Sequence, residues 1–362
     1  MKKSLLVFLS LILVLSLAAC GSDQEGQPEV EEEDLTVGFI YVGPIGDGGY
    51  TYAHDQGRLY LEENMNVKTI YKESVPETQE VEQEIRNMID QGAEAIFATS
   101  FGYMDYIEKV SKDYPDVAFF HCSGYKTTDN LATYFGRIYQ PRYLSGIVAG
   151  LKTETNEIGY VAAYPIPEVI RGINAFALGA QSVNPDVKVS VKWTSTWYDP
   201  AIEKEAAIAL IDEGADIIAQ HQDTTGPQQA AEERGVYSIG YNTDMAEMAP
   251  EAYMTAPVWN WGPYYVEQTQ NVIDGTFESH QYWGGMEENV VQLAPLTDLA
   301  PEEAKEEVEE AKEKILNEQV KVFGGPIYDQ EGNLKVEEGQ ELTDGEMLGM
   351  MWFVEGIEGN IE

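Results

Sequence analysis

The residues of this 362-residue chain that could do chemistry are few and widely scattered. Four histidines (His54, His121, His221 and His280) share no short spacing, and Cys20 and Cys122 stand far apart. There is no Gly-x-Ser-x-Gly elbow, no Walker loop, no His-Glu-x-x-His and no cysteine pair at metal spacing. A catalytic nucleophile needs a base within reach and a metal needs several donors together, so neither an enzyme nor a metal or cofactor site is expected. His121 and His221 each fall at the end of an apolar run, where either could face a cleft. Gly43 to Thr51 follows a strand pattern and opens a helix, which invites a dinucleotide reading. That spacing fails, because Gly46 and Gly48 are followed by Thr51 where a third glycine is required. The glycines there serve instead for a tight turn or for close approach of the backbone to a ligand.

The elements that must position these residues alternate between strand and helix. Thr36 to Val42 reads as a buried strand, Ala53 to Glu63 has helical spacing, and Val67 to Tyr71 reads as the next strand. Such alternation predicts parallel sheets with helices on both faces. The pattern is also repeated. Ile89 to Ala98 (Ile-Asp-Gln-Gly-Ala-Glu-Ala-Ile-Phe-Ala) recurs as Ile211 to Ala219 (Ile-Asp-Glu-Gly-Ala-Asp-Ile-Ile-Ala), each a helix ending on a glycine before an apolar strand. Two α/β units converging on one solution would look the same, but the length suits two lobes of like topology. The fold class expected is therefore α/β, with two doubly wound parallel-sheet lobes joined by a hinge.

Ligands of such folds bind outside the carboxyl ends of the strands. That rule selects the loops at 43–52, 99–104, 121–126, 163–168, 194–199, 220–226 and 241–245. They are rich in rings: Tyr50, Tyr52, Phe101, Tyr103, Tyr125, Tyr164, Trp197, Tyr198 and Tyr241. This enrichment predicts a planar or ring-shaped ligand.

The N-terminus predicts a compartment. Lys2 and Lys3 precede an apolar run, Leu5 to Leu15, that is too short to span a bilayer. Leu17-Ala18-Ala19-Cys20 resembles a bacterial lipobox, in which Cys20 is acylated and becomes the new N-terminus. Acyl chains on one cysteine would hold the protein on the outer face of the cytoplasmic membrane. Cys122 would then remain alone, as a buried core thiol with no disulfide partner. The net charge of −41 is spread along the chain, which disfavours nucleic acid and anionic headgroups as partners and suits a salty or alkaline habitat. The expected organisation is 1–20 lipoprotein signal peptide, 21–34 disordered acidic tether, 35–155 with 256–282 first lobe, and 156–255 with 283–362 second lobe and C-terminal extension. Crossovers fall near 155, 256 and 282, and the helix at Tyr264 to Ile273 returns to the first lobe.

At these same loops the sequence resembles the basic membrane protein family, purine-nucleoside-binding lipoproteins of ABC importers with the type I periplasmic-binding fold. The resemblance runs from about Val37 to the C-terminus. It rests on Gly-Asp-Gly-Gly-Tyr-Thr-Tyr-Ala (46–53), Tyr-Leu-Ser-Gly-Ile-Val-Ala-Gly (143–150), Trp-Tyr-Asp-Pro (197–200), Gly-Tyr-Asn-Thr-Asp (240–244), Gly325-Pro326-Ile327 with Gly332, and Trp-Phe-Val-Glu-Gly (352–356). Their order behind a lipobox carries the specificity; no single motif does. The resemblance implies a monomeric binding protein serving ABC permease subunits. It implies that two rings, Tyr50 and Trp197, sandwich a purine, although Trp197 also fits a core tryptophan and Tyr50 a packing residue at a helix start.

Two departures shift the expected ligand. The family often has Asn where this chain has Thr51. Members that bind ribosides commonly carry a Lys where this chain has Trp259, and an Asp where it has Asn242. An indole replacing that Lys would shrink a ribose pocket, which favours a free base such as adenine or hypoxanthine. Thr51, Asp223, Asn242 and Asp244 are expected to read the purine edge, with Asp47 beside them; Asp47 and Asp244 fit equally well as helix caps. The alternatives are a sugar-binding protein of an ABC importer, since tryptophans also stack on pyranose faces, and a surface signalling or adhesion lipoprotein.

Overall fold

The computed structural model describes residues 35–361. The signal peptide, Cys20 and the acidic tether expected from the sequence lie outside the described residues. Among the described residues no helix is long and apolar enough to cross a membrane.

The first lobe is built from β1 (Thr36–Ile40), α1 (Tyr50–Asn64), β2 (Lys68–Lys72), α2 (Glu80–Asp90), β3 (Ala93–Ala98), α3 (Met104–Asp113), β4 (Ala118–Cys122) and β5 (Leu131–Gly136). The second uses α4 (Tyr139–Lys152), β6 (Glu157–Ala162), α5 (Pro167–Val183), β7 (Lys188–Trp193), α6 (Pro200–Asp212), β8 (Ile217–His221), α7 (Gly226–Arg234), β9 (Tyr237–Ile239) and β10 (Tyr253–Thr255). The remainder comprises β11 (Pro257–Trp259), α8 (Gly262–Ile273), β12 (Gln281–Gly284), β13 (Val291–Leu293), α9 (Ala304–Leu316), β14 (Ile327–Tyr328), β15 (Leu334–Val336), α10 (Asp344–Leu348) and β16 (Ile357–Glu358).

Both six-stranded sheets are parallel throughout, with orders β2-β1-β3-β4-β5-β12 and β16-β7-β6-β8-β9-β10. Stripped of the late edge strands β12 and β16, each reads 2-1-3-4-5 in its own count. The duplicated sequence pattern marks equivalent places: Gly92 and Gly214 have φ of +93° and +114° and lead into β3 and β8, the third strand of each sheet. Only a glycine adopts that backbone without strain, which is why the residue recurs between helix and strand.

Strands buried on both faces explain the runs of apolar residues. In the first sheet Val37, Phe39 and Phe97 pack toward α1 and α8, while Ile40, Ile96 and Phe119 pack toward α2 and α3. In the second, Ile158, Tyr160 and Ile217 face α4, α5 and α9, and Val161 and Ile218 face α6 and α7. The motif at 143–150 has a packing role: a Cβ on Gly146 would lie 2.1 Å from the Phe176 carbonyl oxygen, so α4 and α5 touch backbone to backbone. Helix α4 therefore belongs to the second core, and the chain leaves the first lobe between β5 and α4, ahead of the expected crossover at 155. It returns through the antiparallel ribbon β11/β13, whose Trp259 and Val291 join the first core while the flanking Ala256 and Ala294 join the second.

Candidate functional site: a cleft between the two lobes

The carboxyl ends of the two sheets face each other across a narrow cavity lined by Val42, Tyr50, Ser100, Phe101 and Ser123 from the first lobe and Glu168, Trp197, His221, Asp223 and Tyr241 from the second. In this closed arrangement it holds only about 20 Å³ of free space, far below the roughly 300–1,000 Å³ of ordinary small-molecule sites, so a ligand enters only when the lobes part. Every lining residue ends a strand or lies in the segment that follows one, grouped about the places where strand order reverses, between β1 and β3 and between β6 and β8, with Ser123, Trp197 and Tyr241 added from the neighbouring β4, β7 and β9.

Tyr50 opens α1. Its phenol donates to the Thr99 carbonyl at 2.6 Å, and its ring meets His54 edge-on at 4.5 Å. The turn ahead of it is held by Asp47, whose carboxylate accepts from the amides of Gly49, Thr51 and Tyr52 at 2.8, 2.8 and 2.9 Å. Burial pushes the Asp47 carboxyl up to about 6 against the pull of those amides. Thr51 is fully buried, and its hydroxyl accepts from the Gly43 amide. Asp47 and Thr51 thus build the turn that presents Tyr50 and do not line the cavity.

Across the cleft, Trp197 packs edge-on against Tyr164 at 5.2 Å. The Trp-Tyr-Asp-Pro motif fixes this loop, because Asp199 caps α6 by accepting from Ala201 and Ile202 while Pro200 takes the first helical position. Glu203 then ties the loop to its neighbour. One oxygen accepts from the Asp199 amide and the other from the amide and hydroxyl of Thr224, next to Asp223.

The polar groups come from the second lobe. Asp223 is almost completely buried, and desolvation, with the negative charges of Asp47, Glu203, Glu168 and Glu77, holds its carboxyl well above the usual carboxylate range. Glu168, in the first turn of α5, is raised to about 7 by desolvation, opposed by Arg171 and Arg142. His221 lies 3.5 Å from Glu168, but burial and the two arginines keep its imidazole neutral, and its Nδ1 has no partner. Behind them Arg142 places its guanidinium 3.6 Å from the centre of the Tyr241 ring and donates to the Gln220 carbonyl. A protonated carboxyl offers a donor and an acceptor side by side, so this wall can match a ligand edge that alternates the two.

The lobes meet in a closed arrangement. The Thr243 hydroxyl donates to the Gly48 carbonyl at 2.5 Å, and a Cβ on Gly49 would fall 2.2 Å from the Asp223 carbonyl oxygen.

Of the residues singled out from the sequence, Tyr50, Trp197 and Asp223 come together at the cavity with the loop residues Phe101, His221 and Tyr241, whereas Asp47, Thr51, Asn242, Asp244 and Trp259 do not line it. Asn242 is spent on structure: its amide donates to the Gln222 carbonyl and its oxygen accepts from the Trp259 indole. Asp244 accepts from the Ala246 amide. Trp259 does not stand beside a sugar pocket. It is buried in the first core, stacked on Trp261 at 4.6 Å and against Phe135 at 5.0 Å, so the inference that it crowds out a ribose is corrected. Sequence reasoning passed over Ser100, Ser123 and Glu168, although each lies in or beside a loop chosen by the strand-end rule.

A family model described as ABC transporter substrate-binding protein, PnrA-like, matches residues 35–324. The chain belongs to that family; it is a solute-binding protein of ABC transporters and not an enzyme, with a small molecule and a permease as its partners. Such a protein works outside the cytoplasm. Over 332 residues it is 44% identical to a purine-binding protein of Brucella abortus, a match covering 91% of this chain and 95% of the relative. It is 40% identical to an ABC transporter protein of Haloferax volcanii provisionally named as glucose-binding, over 93% of this chain and 84% of the relative. Among solved structures, a solute-binding protein of Aeropyrum pernix superposes with a TM-score of 0.70 at 20% identity, covering 79% of this chain and 92% of the other, which shows the common fold.

Proposed function

We propose that this chain is a lipid-anchored receptor that captures a purine base and delivers it to an ABC importer. The observation that carries the reading is the cavity itself: a slot with Tyr50 and Phe101 on one lobe, Trp197 on the other, and two carboxyls on its second-lobe wall. A flat heteroaromatic ring matches the rings, and stacking on them is worth about 1–3 kcal/mol per base. The Asp223 and Glu168 carboxyls, neutral or readily made so, match the donor–acceptor edge of adenine or hypoxanthine. The Brucella relative's name points the same way. Cys20 would carry the anchor and the monomer would be the working unit. A Cys20→Ala protein should leave the membrane fraction, and its retention there would contradict the anchor.

The Haloferax relative is the specific reason to keep a sugar reading. The two readings separate in a calorimetric titration with adenine, hypoxanthine, guanine, their ribosides and glucose. The purine reading expects micromolar or tighter binding of at least one free base and none of glucose. Binding of glucose alone would sink it.

A further inference from the structure

The slot does not end where its rings end. Phe101, Ser123 and Glu168 also line a second, wider chamber that opens to solvent between β5, β12 and the start of α10. The polar side chains of that chamber are largely committed. Both oxygens of Asp344 accept from the Arg137 fork at 2.8 and 2.7 Å. Gln281 donates to the Tyr125 carbonyl at 2.8 Å, and Arg171 donates to the Met347 carbonyl at 2.9 Å. Its wall is otherwise mainly apolar, with Tyr125, Ile166, Pro167, Trp283 and Leu348, of which Tyr125 and Leu348 are 63% and 51% exposed; it leaves the Trp283 indole N–H and the Glu168 carboxyl without a hydrogen bond. Sugar hydroxyls entering this space would lose water and find few groups free to replace it. A hydrocarbon or aromatic arm would instead cover exposed apolar surface.

Resting on the purine reading of the slot, we propose that the site accepts purines carrying an apolar N-substituent, the ring held in the slot and the arm running past Phe101 and Ser123 into the chamber, and that it prefers them to ribosides. Tyr125 and Leu348 are then specificity-determining residues that touch the arm and not the ring. Tyr125 follows β4 and Leu348 ends α10, and neither lines the slot, so each can be changed without altering the slot's own wall.

The test is calorimetric titration of the full chain with adenine, N6-benzyladenine, 9-benzyladenine and adenosine, since either nitrogen could direct the arm outward. At least one benzyl isomer should bind about tenfold more tightly than adenine, as expected for burying a phenyl group, and adenosine more weakly than adenine. Leu348→Glu and Tyr125→Ala should each remove most of the benzyl advantage while leaving the adenine affinity unchanged. If adenine binds but both benzyl isomers bind more weakly than adenine, or adenosine binds most tightly, the chamber proposal is wrong and the purine reading survives. If the benzyl advantage persists in both variants, the arm lies elsewhere and the proposal fails. If no purine binds, the reading of the slot fails with it.

Discussion

The two lobes share one strand order and one helix–glycine–strand unit, yet their contributions to the cleft differ in kind. The first lobe supplies Val42, Tyr50, Ser100, Phe101 and Ser123, a wall with rings and hydroxyls but no carboxylate or histidine. The second supplies Glu168, His221 and Asp223 together with Trp197 and Tyr241. The common framework fixes where a ligand lies, and the loops decide what each side can say to it. Because the carboxyls and the histidine that line the cavity are all on one side, closure does electrostatic as well as steric work. The first lobe brings its Gly49 turn against Asp223 and removes water from carboxyls that are costly to leave charged.

The largest expected effect comes from keeping the lobes apart. With Gly49→Ala a methyl would collide with the Asp223 backbone across the cleft. Apparent affinity for adenine should fall by about a hundredfold, because the closed state is no longer populated. Small-angle scattering should then show no compaction at saturating ligand; wild-type affinity in this variant would mean that the closed contact is dispensable. Removing a ring acts next. Trp197→Ala should cost about 1–3 kcal/mol of stacking, or roughly 5–150-fold in affinity, and a loss below twofold by calorimetry would remove Trp197 from the ligand.

The asymmetry of charge gives a pH dependence with a definite sign. Glu168 and Glu203 are raised from 4.5 to about 7, so between those values the folded protein holds more protons than the unfolded chain. Their contribution to stability is fully present below pH 4.5 and is lost as pH rises toward 7. His54, His121 and His221, held neutral by burial, act in the opposite sense over much of that window, so the diagnostic is a difference: the melting temperature of Glu168→Gln should fall less, or rise more, with pH than that of the wild type. An unchanged slope would show that Glu168 stays ionised. The smallest effect belongs to Thr243→Val, which deletes one interlobe hydrogen bond, worth about 0.5–1.5 kcal/mol, and should weaken ligand binding about two- to tenfold.

Much of the framework was legible in the sequence, because apolar runs and positive-φ glycines such as Gly92 and Gly214 write parallel strands locally. The strand-end rule also located the cleft, and it placed Tyr50, Trp197 and Asp223 in the loops that meet there. What could not be read was how polar side chains divide their hydrogen bonds. Asn242 and Trp259 looked like a substituted sugar-binding pair, but they bond to each other inside the protein. Asp47 and Thr51 look like ligand groups only until the amides of the α1 turn are counted against them. Glu168 escaped for the converse reason. It follows a proline at a helix start, where an acidic residue is ordinary, and only the approach of the other lobe turns it into part of a binding wall.

The central claim is that an aromatic first-lobe wall and a carboxyl-bearing second-lobe wall close on one flat ring. A crystal structure of the protein grown with adenine tests it most directly. The account predicts the base between Tyr50 and Trp197, with its polar edge within hydrogen-bonding distance of Asp223 or Glu168. A base bound outside the slot, or one whose edge meets only first-lobe atoms, would contradict it.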